Sequence, residues 1–174
     1  KKKILDVGAI MSDDVIYHKS HPGEFIDFVR QVDYLCGHNI LAHDLLYLQK
    51  YKGEPTFGLD KAIDTLLLSP LLFPKNPYHR LLKDDKLQIE ELNNPVNDAK
   101  KARDLFYDEV NAFYKLPEEF KVILVSLLYQ HIGFTCFFKH VGYFNSISLD
   151  TLEKRIRELF QNKICQYCDV KSFI

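Results

Sequence analysis

The chain has 174 residues, 47% of them hydrophobic and 27% charged, with a formal net charge of −1. That length suffices for one domain with a real core, with room for a helical appendage. The near-neutral balance gives no compositional argument for nucleic acid or a membrane, and the longest apolar run, Val122 to Leu128, is far too short to span a bilayer.

The chain opens Lys1-Lys2-Lys3 without a Met and passes directly into apolar sequence, which reads as a chain whose natural start is absent. Ile4 to Met11 predicts a largely buried strand, Ser12-Asp13-Asp14 a turn, and Val15 to His18 a second strand, together an antiparallel hairpin. Phe25, Phe28, Val29 and Val32 recur at helical spacing. Tyr34 to Asn39 is the next strand, and Asp44 to Tyr51 a helix that ends before Gly53. Ala62 to Leu68 reads as a strand, with or without a helical turn after it. Pro70, Pro74 and Pro77 then break the chain into a loop, with a helical turn expected at Tyr78 to Lys83.

Asn94 suits a helix N-cap and Pro95 the first helical position. The helix they start runs to about Tyr114, with Ala99, Ala102, Phe106, Val110 and Phe113 as its apolar stripe. Pro117 starts another helix, burying Phe120, Ile123, Leu124, Leu127 and Leu128. A Phe-rich tail follows (Phe134, Phe137, Phe138, Phe144), a core or a docking face for a neighbouring domain. Ser148 then caps a last helix. Strands alternate with helices to about residue 115 and only helices follow. This predicts an α/β domain over residues 3–115 and a helical extension or linker over 116–174.

Cys36, Cys136, Cys165 and Cys168 stand in a chain without a signal peptide, so a reduced cytoplasmic setting is expected. Cys165-Gln166-Tyr167-Cys168 is a lone CxxC; structural zinc needs four ligands, and no second pair follows. Lys1 to Lys3, Lys75 to Lys86 and Lys154 to Arg157 are basic spots, each simplest as a solvated surface.

Two stretches stand out for their layout. Gly37-His38-Asn39-Ile40, followed after two residues by His43-Asp44, places one carboxylate where a strand ends and a helix begins. Asn93-Asn94-Pro95-Val96-Asn97-Asp98-Ala99 repeats the plan at the head of the long helix. Together they resemble the second and third motifs of the DEDD exonuclease superfamily, also called DnaQ-like. In the second motif His38, Asn39 and Asp44 match, with His43 where Phe is usual; Asp98-Ala99 matches the third. The spacing around Asp44 is similar to that of the proofreading domains of family B polymerases. Ile4 to Ile10 resembles the family's second strand and Ile63-Asp64-Thr65-Leu66 its Ile-Asp-Thr-Leu strand end. Pro77 to Asp84 with Glu91 to Asp98 resembles more narrowly the exonuclease-like region ahead of some bacterial RecQ-type helicases.

The resemblance implies an RNase H-like fold, a mixed sheet flanked by helices, with its first strand absent here. It also implies a 3′–5′ exonuclease acting on DNA with a single-stranded 3′ end, with Mg²⁺ or Mn²⁺ as cofactor and a helicase domain as partner in the same protein. Phosphodiester hydrolysis in this family uses two divalent ions about 3.5–4 Å apart, one activating water and one stabilising the leaving oxygen. Hard cations require carboxylate oxygens. Asp44 and Asp98 would be two of the four metal-binding, catalytic carboxylates, and His38, Asn39 and His43 would face substrate.

The chain departs from the family in two places. The Asp-x-Glu pair of the first strand is missing, and Asp6 does not replace it. The general-base position five residues before Asp98 is Asn93, and that of the Tyr variant is Asn94; an amide has no basic lone pair near neutral pH. Weak or no nuclease activity is therefore expected, and a catalytically degenerate nucleic-acid-binding or docking module is the alternative. The bland reading of Asp44 and Asp98 is a first-turn acid favoured by the helix dipole. For Asn39 it is a turn former. Asp64 with Thr65 reads as structural, whereas Tyr78 and His79 are candidates for stacking on a base.

Overall fold

The computed structural model describes residues 6–81, 94–161, 163–165 and 167–174. The predicted hairpin is present: β1 (Val7–Ile10) pairs antiparallel with β2 (Ile16–Lys19), Gly8 opposite His18 and Ala9 opposite Tyr17. Ile4 and Leu5, expected to begin its first strand, lie outside the described residues. Helix α1 (Pro22–Phe28) has Pro at its start and buries Phe25 and Ile26; Val32, expected on it, lies beyond its end. Next come β3 (Leu35–Gly37) and α2 (Asp44–Lys52). Gly53 closes α2 at φ 74°, its N–H donating to the Gln49 carbonyl, a left-handed cap that favours glycine.

A 3-10 turn (Leu59–Lys61) leads into β4 (Ala62–Asp64). β4 pairs in parallel with β3, Cys36 opposite Ile63 and Gly37 opposite Asp64. Parallel strands need a crossover, and α2 supplies it.

The expected break at Pro70 is corrected: helix α3 (Thr65–Leu72) runs through it. An internal proline removes a helix hydrogen bond. Here Asp64 caps the helix through the Leu66 N–H, and Leu68 and Leu72 are buried, so burial outweighs the local penalty. Pro74 and Pro77 do lie in non-helical chain, and so do residues 78–81; Lys83 lies outside the described residues.

Helix α4 (Pro95–Lys115) starts as expected, Asn94 accepting from the Val96 N–H with Pro95 at the first position. Its buried stripe is Val96, Ala102, Phe106, Glu109 and Phe113, so Glu109 takes the interior place expected of Val110. Helices α5 (Glu118–Leu128), α6 (Ile132–His140) and α7 (Leu149–Leu159) follow, then a 3-10 turn (Val170–Phe173). Ser148 occupies the N-cap of α7, but its hydroxyl bonds Thr151 rather than the backbone. On α5 the fully interior residues are Val122, Ile123 and Val125, while Leu124, Leu127 and Leu128 are half-buried.

Phe137 and Phe138 of α6 pack against Phe113 with ring centroids 5.5 and 5.9 Å apart. One apolar cluster joins these rings to Ile63, Leu68 and Phe106 and so runs from the strands into α5 and α6 across residue 115. A second holds Tyr17, Phe25, Leu35, Leu45 and Ala62, with Val7 and Ala9 against it. Among the described residues no helix is long and apolar enough to cross a membrane.

The two strand pairs share one apolar cluster. Leu35 and Ala62 belong to the same cluster as Val7, Ala9 and Tyr17, on the side of α1 and α2. On the opposite side, Ile63 meets Phe106 of α4, and Gly8 meets the start of α4. A Cβ on Gly8 would lie 2.6 Å from backbone atoms of Pro95 and Val96, so glycine lets the helix start rest on the strand. Helix α4 crosses both pairs, touching β1 and β3 more extensively than β2. Among the described residues β1 and β3 do not pair with each other, so each keeps one edge without a strand partner. The class is α/β with two small sheets rather than one continuous sheet.

Candidate functional site

The turn between β3 and α2 is built around Asp64, the last residue of β4. Its side chain is 2% exposed and accepts from three backbone N–H groups: Asn39 at 2.8 Å, Leu41 at 3.1 Å and Leu66 at 3.0 Å. One carboxylate therefore ties the 38–41 turn to the start of α3. A carboxylate accepting several N–H bonds is a strong buried anchor, because both oxygens are satisfied where water is excluded. The turn places Asn39 at φ 65°, a left-handed conformation that Asn tolerates better than most residues. The structural reading of Asp64 holds.

His38 is drawn into the same frame. Its Nδ1 lies 2.9 Å from the Thr65 hydroxyl, and its Nε2 is buried without a partner. Burial lowers its pKa below the ordinary histidine value, and nearby Asp64 offsets this only in part. A neutral ring with its lone pair on Nε2 leaves only an acceptor unpaired. Asn39 contributes its backbone N–H to Asp64 and its carbonyl to the His43 N–H.

His43 and Asp44 stand outside this frame. Asp44 opens α2 with its side chain 56% exposed, and His43 Nδ1 is 3.4 Å from its carboxylate. The His43 ring lies edge-on to Tyr47 at 5.1 Å. Crowding by surrounding protein pushes the Asp44 carboxyl up, and the neighbouring His43 pulls it down. With more than half of the side chain in water, the energetic weight of this shift is small.

Asp98 lies in the first turn of α4 and is exposed. None of the interactions of Asp44 reaches it: the charges that Asp44 feels are His43 and Asp64. What links the two is the architecture. Asp44 follows β3, and Asp98 belongs to the helix start that rests on β1; among the described residues each of these strands has one edge without a strand partner. Both carboxylates are hard oxygen donors suited to Mg²⁺ or Mn²⁺. Among the described residues, however, no three His, Cys, Asp or Glu side chains come together as a metal-binding group. No Asp-x-Glu occurs anywhere in the chain. These residues alone do not make a two-metal centre.

The other expected contacts divide in the same way. Tyr78 is 78% exposed, whereas His79 is tied through Nδ1 to the Ser69 hydroxyl at 2.9 Å. Lys83, Asp84, Asp85, Lys86 and Asn93 lie outside the described residues.

Two groups beside the turn escape the motif reading. Glu109 of α4 is fully buried, both carboxylate oxygens lack partners, and burial followed by repulsion from Asp64 raises its pKa to about 9. It is thus a neutral acid at pH 7. Its place between Phe106 and Phe113 on the helix was the available signal. Cys36 on β3 has an exposed surface yet lies deep among protein atoms; burial, then Glu109 and Asp64, push its thiol far up.

Compared with known families, curated proteins and solved structures, the chain matches none of them.

Proposed function

We propose that the chain is a 3′–5′ exonuclease-like domain of the DEDD type, with an RNase H-like arrangement, that acts on or binds DNA. The observation that carries this reading is the pair of strands under α4: among the described residues β1 and β3 both touch this helix, each has one edge without a strand partner, and the elements bearing Asp44 and Asp98 adjoin them. A strand carrying Asp-x-Glu that paired with both would complete a mixed sheet and add two carboxylates to the two exposed here. This chain's part is to hold Asp44 at the head of α2 and Asp98 at the head of α4, in water-accessible positions. Asp64 fixes the turn that precedes Asp44, and His43 places an exposed imidazole beside it. Divalent metal would supply charge neutralisation and an activated water only with the further acids present.

The alternative is a nucleic-acid-binding or docking module of a DNA helicase that has lost catalysis. The amides Asn93 and Asn94 at the general-base positions favour it.

The test is incubation with 5′-labelled single-stranded DNA and Mn²⁺. Shortening from the 3′ end that disappears in both Asp44→Ala and Asp98→Ala supports the exonuclease reading; activity that survives both removes the site assignment. Binding without cleavage, lost steeply as salt rises, supports the module. Absence of both binding and cleavage overturns both readings.

A further inference from the structure

The four cysteines differ in what surrounds them. Cys136 is buried, and its thiol donates to the Asp60 carbonyl at 3.1 Å. For Cys36, burial and the nearby acids Glu109 and Asp64 disfavour the thiolate. Cys165 is exposed and Cys168 half-buried, and both are free thiols.

Local geometry brings this last pair together. After α7 the chain reverses, the Lys163 N–H bonding the Phe160 carbonyl at 2.9 Å. The Cys168 N–H then bonds the Cys165 carbonyl at 2.9 Å, which draws these two residues together. A hydrogen bond from an N–H to the carbonyl three residues before it holds the two Cα atoms within about 7 Å. Disulfides span Cα separations of about 4.4–6.8 Å. The Arg157 guanidinium fixes the turn from the α7 side, donating to the Cys168 carbonyl at 3.0 Å while its Nε holds Glu153. Two residues on, Val170 is 6% exposed, in a cluster with Ile123, Leu152 and Ile156. The dithiol therefore sits at the point where the tail is pinned to α5 and α7.

We propose that Cys165 and Cys168 form a reversible intramolecular disulfide that clasps the C-terminal turn onto α7. The oxidant is a small disulfide such as oxidised glutathione. The accessible Cys165 thiolate attacks one of its sulfurs, forming a protein–glutathione bond, breaking the glutathione S–S bond and releasing one glutathione thiolate. The Cys168 thiolate then attacks the Cys165 sulfur, forming the protein disulfide and releasing the second glutathione. The two protons lost by the protein pass to the two released thiolates, and two electrons leave the protein dithiol.

The test equilibrates the full chain in glutathione buffers of stepped oxidised-to-reduced ratio, blocks free thiols by alkylation and maps them by mass spectrometry. The expected result is simultaneous loss of both alkylatable thiols at Cys165 and Cys168, with two hydrogens fewer on their shared peptide and Cys136 still free. In Cys168→Ser the glutathione adduct at Cys165 accumulates instead of resolving. Hydrogen exchange of the Cys168 and Val170 amides slows in the oxidised wild type, and Cys165→Ser abolishes that slowing. Independent adducts on each cysteine at all ratios, or disulfide-linked dimers in place of the internal bond, would overturn the proposal. So would an internal disulfide that leaves amide exchange unchanged, because the clasp would then be absent.

Discussion

The parallel pair β3–β4 and the hairpin β1–β2 share an apolar cluster and a covering helix, yet they are held in different ways. In β4, Ala62 and Ile63 are fully buried and Asp64 nearly so, and the Asp64 carboxylate anchors three backbone groups from inside. No residue of β1 is fully buried. The hairpin is secured by Tyr17 in the second core cluster, by the close approach of Gly8 to Pro95 and Val96, and by a 2.6 Å ion pair between Asp14 and Arg103. Asp14 is 78% exposed, so that ion pair contributes little. The parallel pair is thus a frame stabilised from within, and the hairpin is an attachment whose position is set by the start of α4.

The sharpest way to break the contrast is Asp64→Ala. Removing a buried carboxylate that accepts from Asn39, Leu41 and Leu66 strands three N–H groups, and the expected cost is about 3–5 kcal/mol in urea unfolding. A loss below about 1 kcal/mol would show that the frame does not depend on this anchor. On the hairpin side, Gly8→Val forces side-chain atoms into the backbone of Pro95 and Val96. A cost of about 1–3 kcal/mol is expected. Hydrogen exchange should rise first in β1 and β2, with β3 and β4 still protected; equal loosening of both pairs would erase the distinction.

Glu109 tests the frame from the helix side. Its folded pKa of about 9 lies above the ordinary carboxyl value of 4.5. Between those two values the unfolded chain has released the proton while the folded chain retains it. The stability contribution of this group is therefore fully present below pH 4.5 and falls as pH rises towards 9. The slope is at most about 1.4 kcal/mol per pH unit. Glu109→Leu should stabilise the protein by about 1–3 kcal/mol at pH 8 and by less at pH 5, since an apolar replacement removes an unpaired buried acid. A stability gain independent of pH would show that Glu109 is ionised in the folded state and partnered by a group elsewhere.

Features written in short local signals were legible in the sequence. Asn94-Pro95 starts α4 with the expected cap, Gly53 ends α2, and the turn at residues 12–14 makes the hairpin. Asp64 was legible as structural, but not the means: two of its three donors lie 23 and 25 residues upstream, and no local pattern encodes that reach. Pro70 misled because the cap from Asp64 and the burial of Leu68 and Leu72 are tertiary facts. Helix α6 was hidden in a Phe-rich run, since His131 at its start makes no side-chain cap. Glu109 was passed over because an acid within an apolar stripe reads as off the buried face. Of the candidate site, the positions of Asp44 and Asp98 at helix starts were legible. Their separation across two strand pairs was not, because it depends on how α4 crosses them.

The smallest expected effect on stability distinguishes the two exposed carboxylates from the buried one. Asp44 and Asp98 are exposed acids in first helical turns, where favourable interaction with the helix dipole is worth about 0.3–1 kcal/mol. Asp44→Ala and Asp98→Ala should each lower stability by no more than that, and together by the sum, since no contact joins the two among the described residues. Asp64 is the internal standard: the same deletion of a carboxylate is expected to cost several times more there. If Asp44→Ala instead cost as much as Asp64→Ala, Asp44 would belong to the frame, and its exposure would no longer favour a role in binding. A small cost at both sites, with loss of DNA shortening or binding, would place the two acids on the side of function.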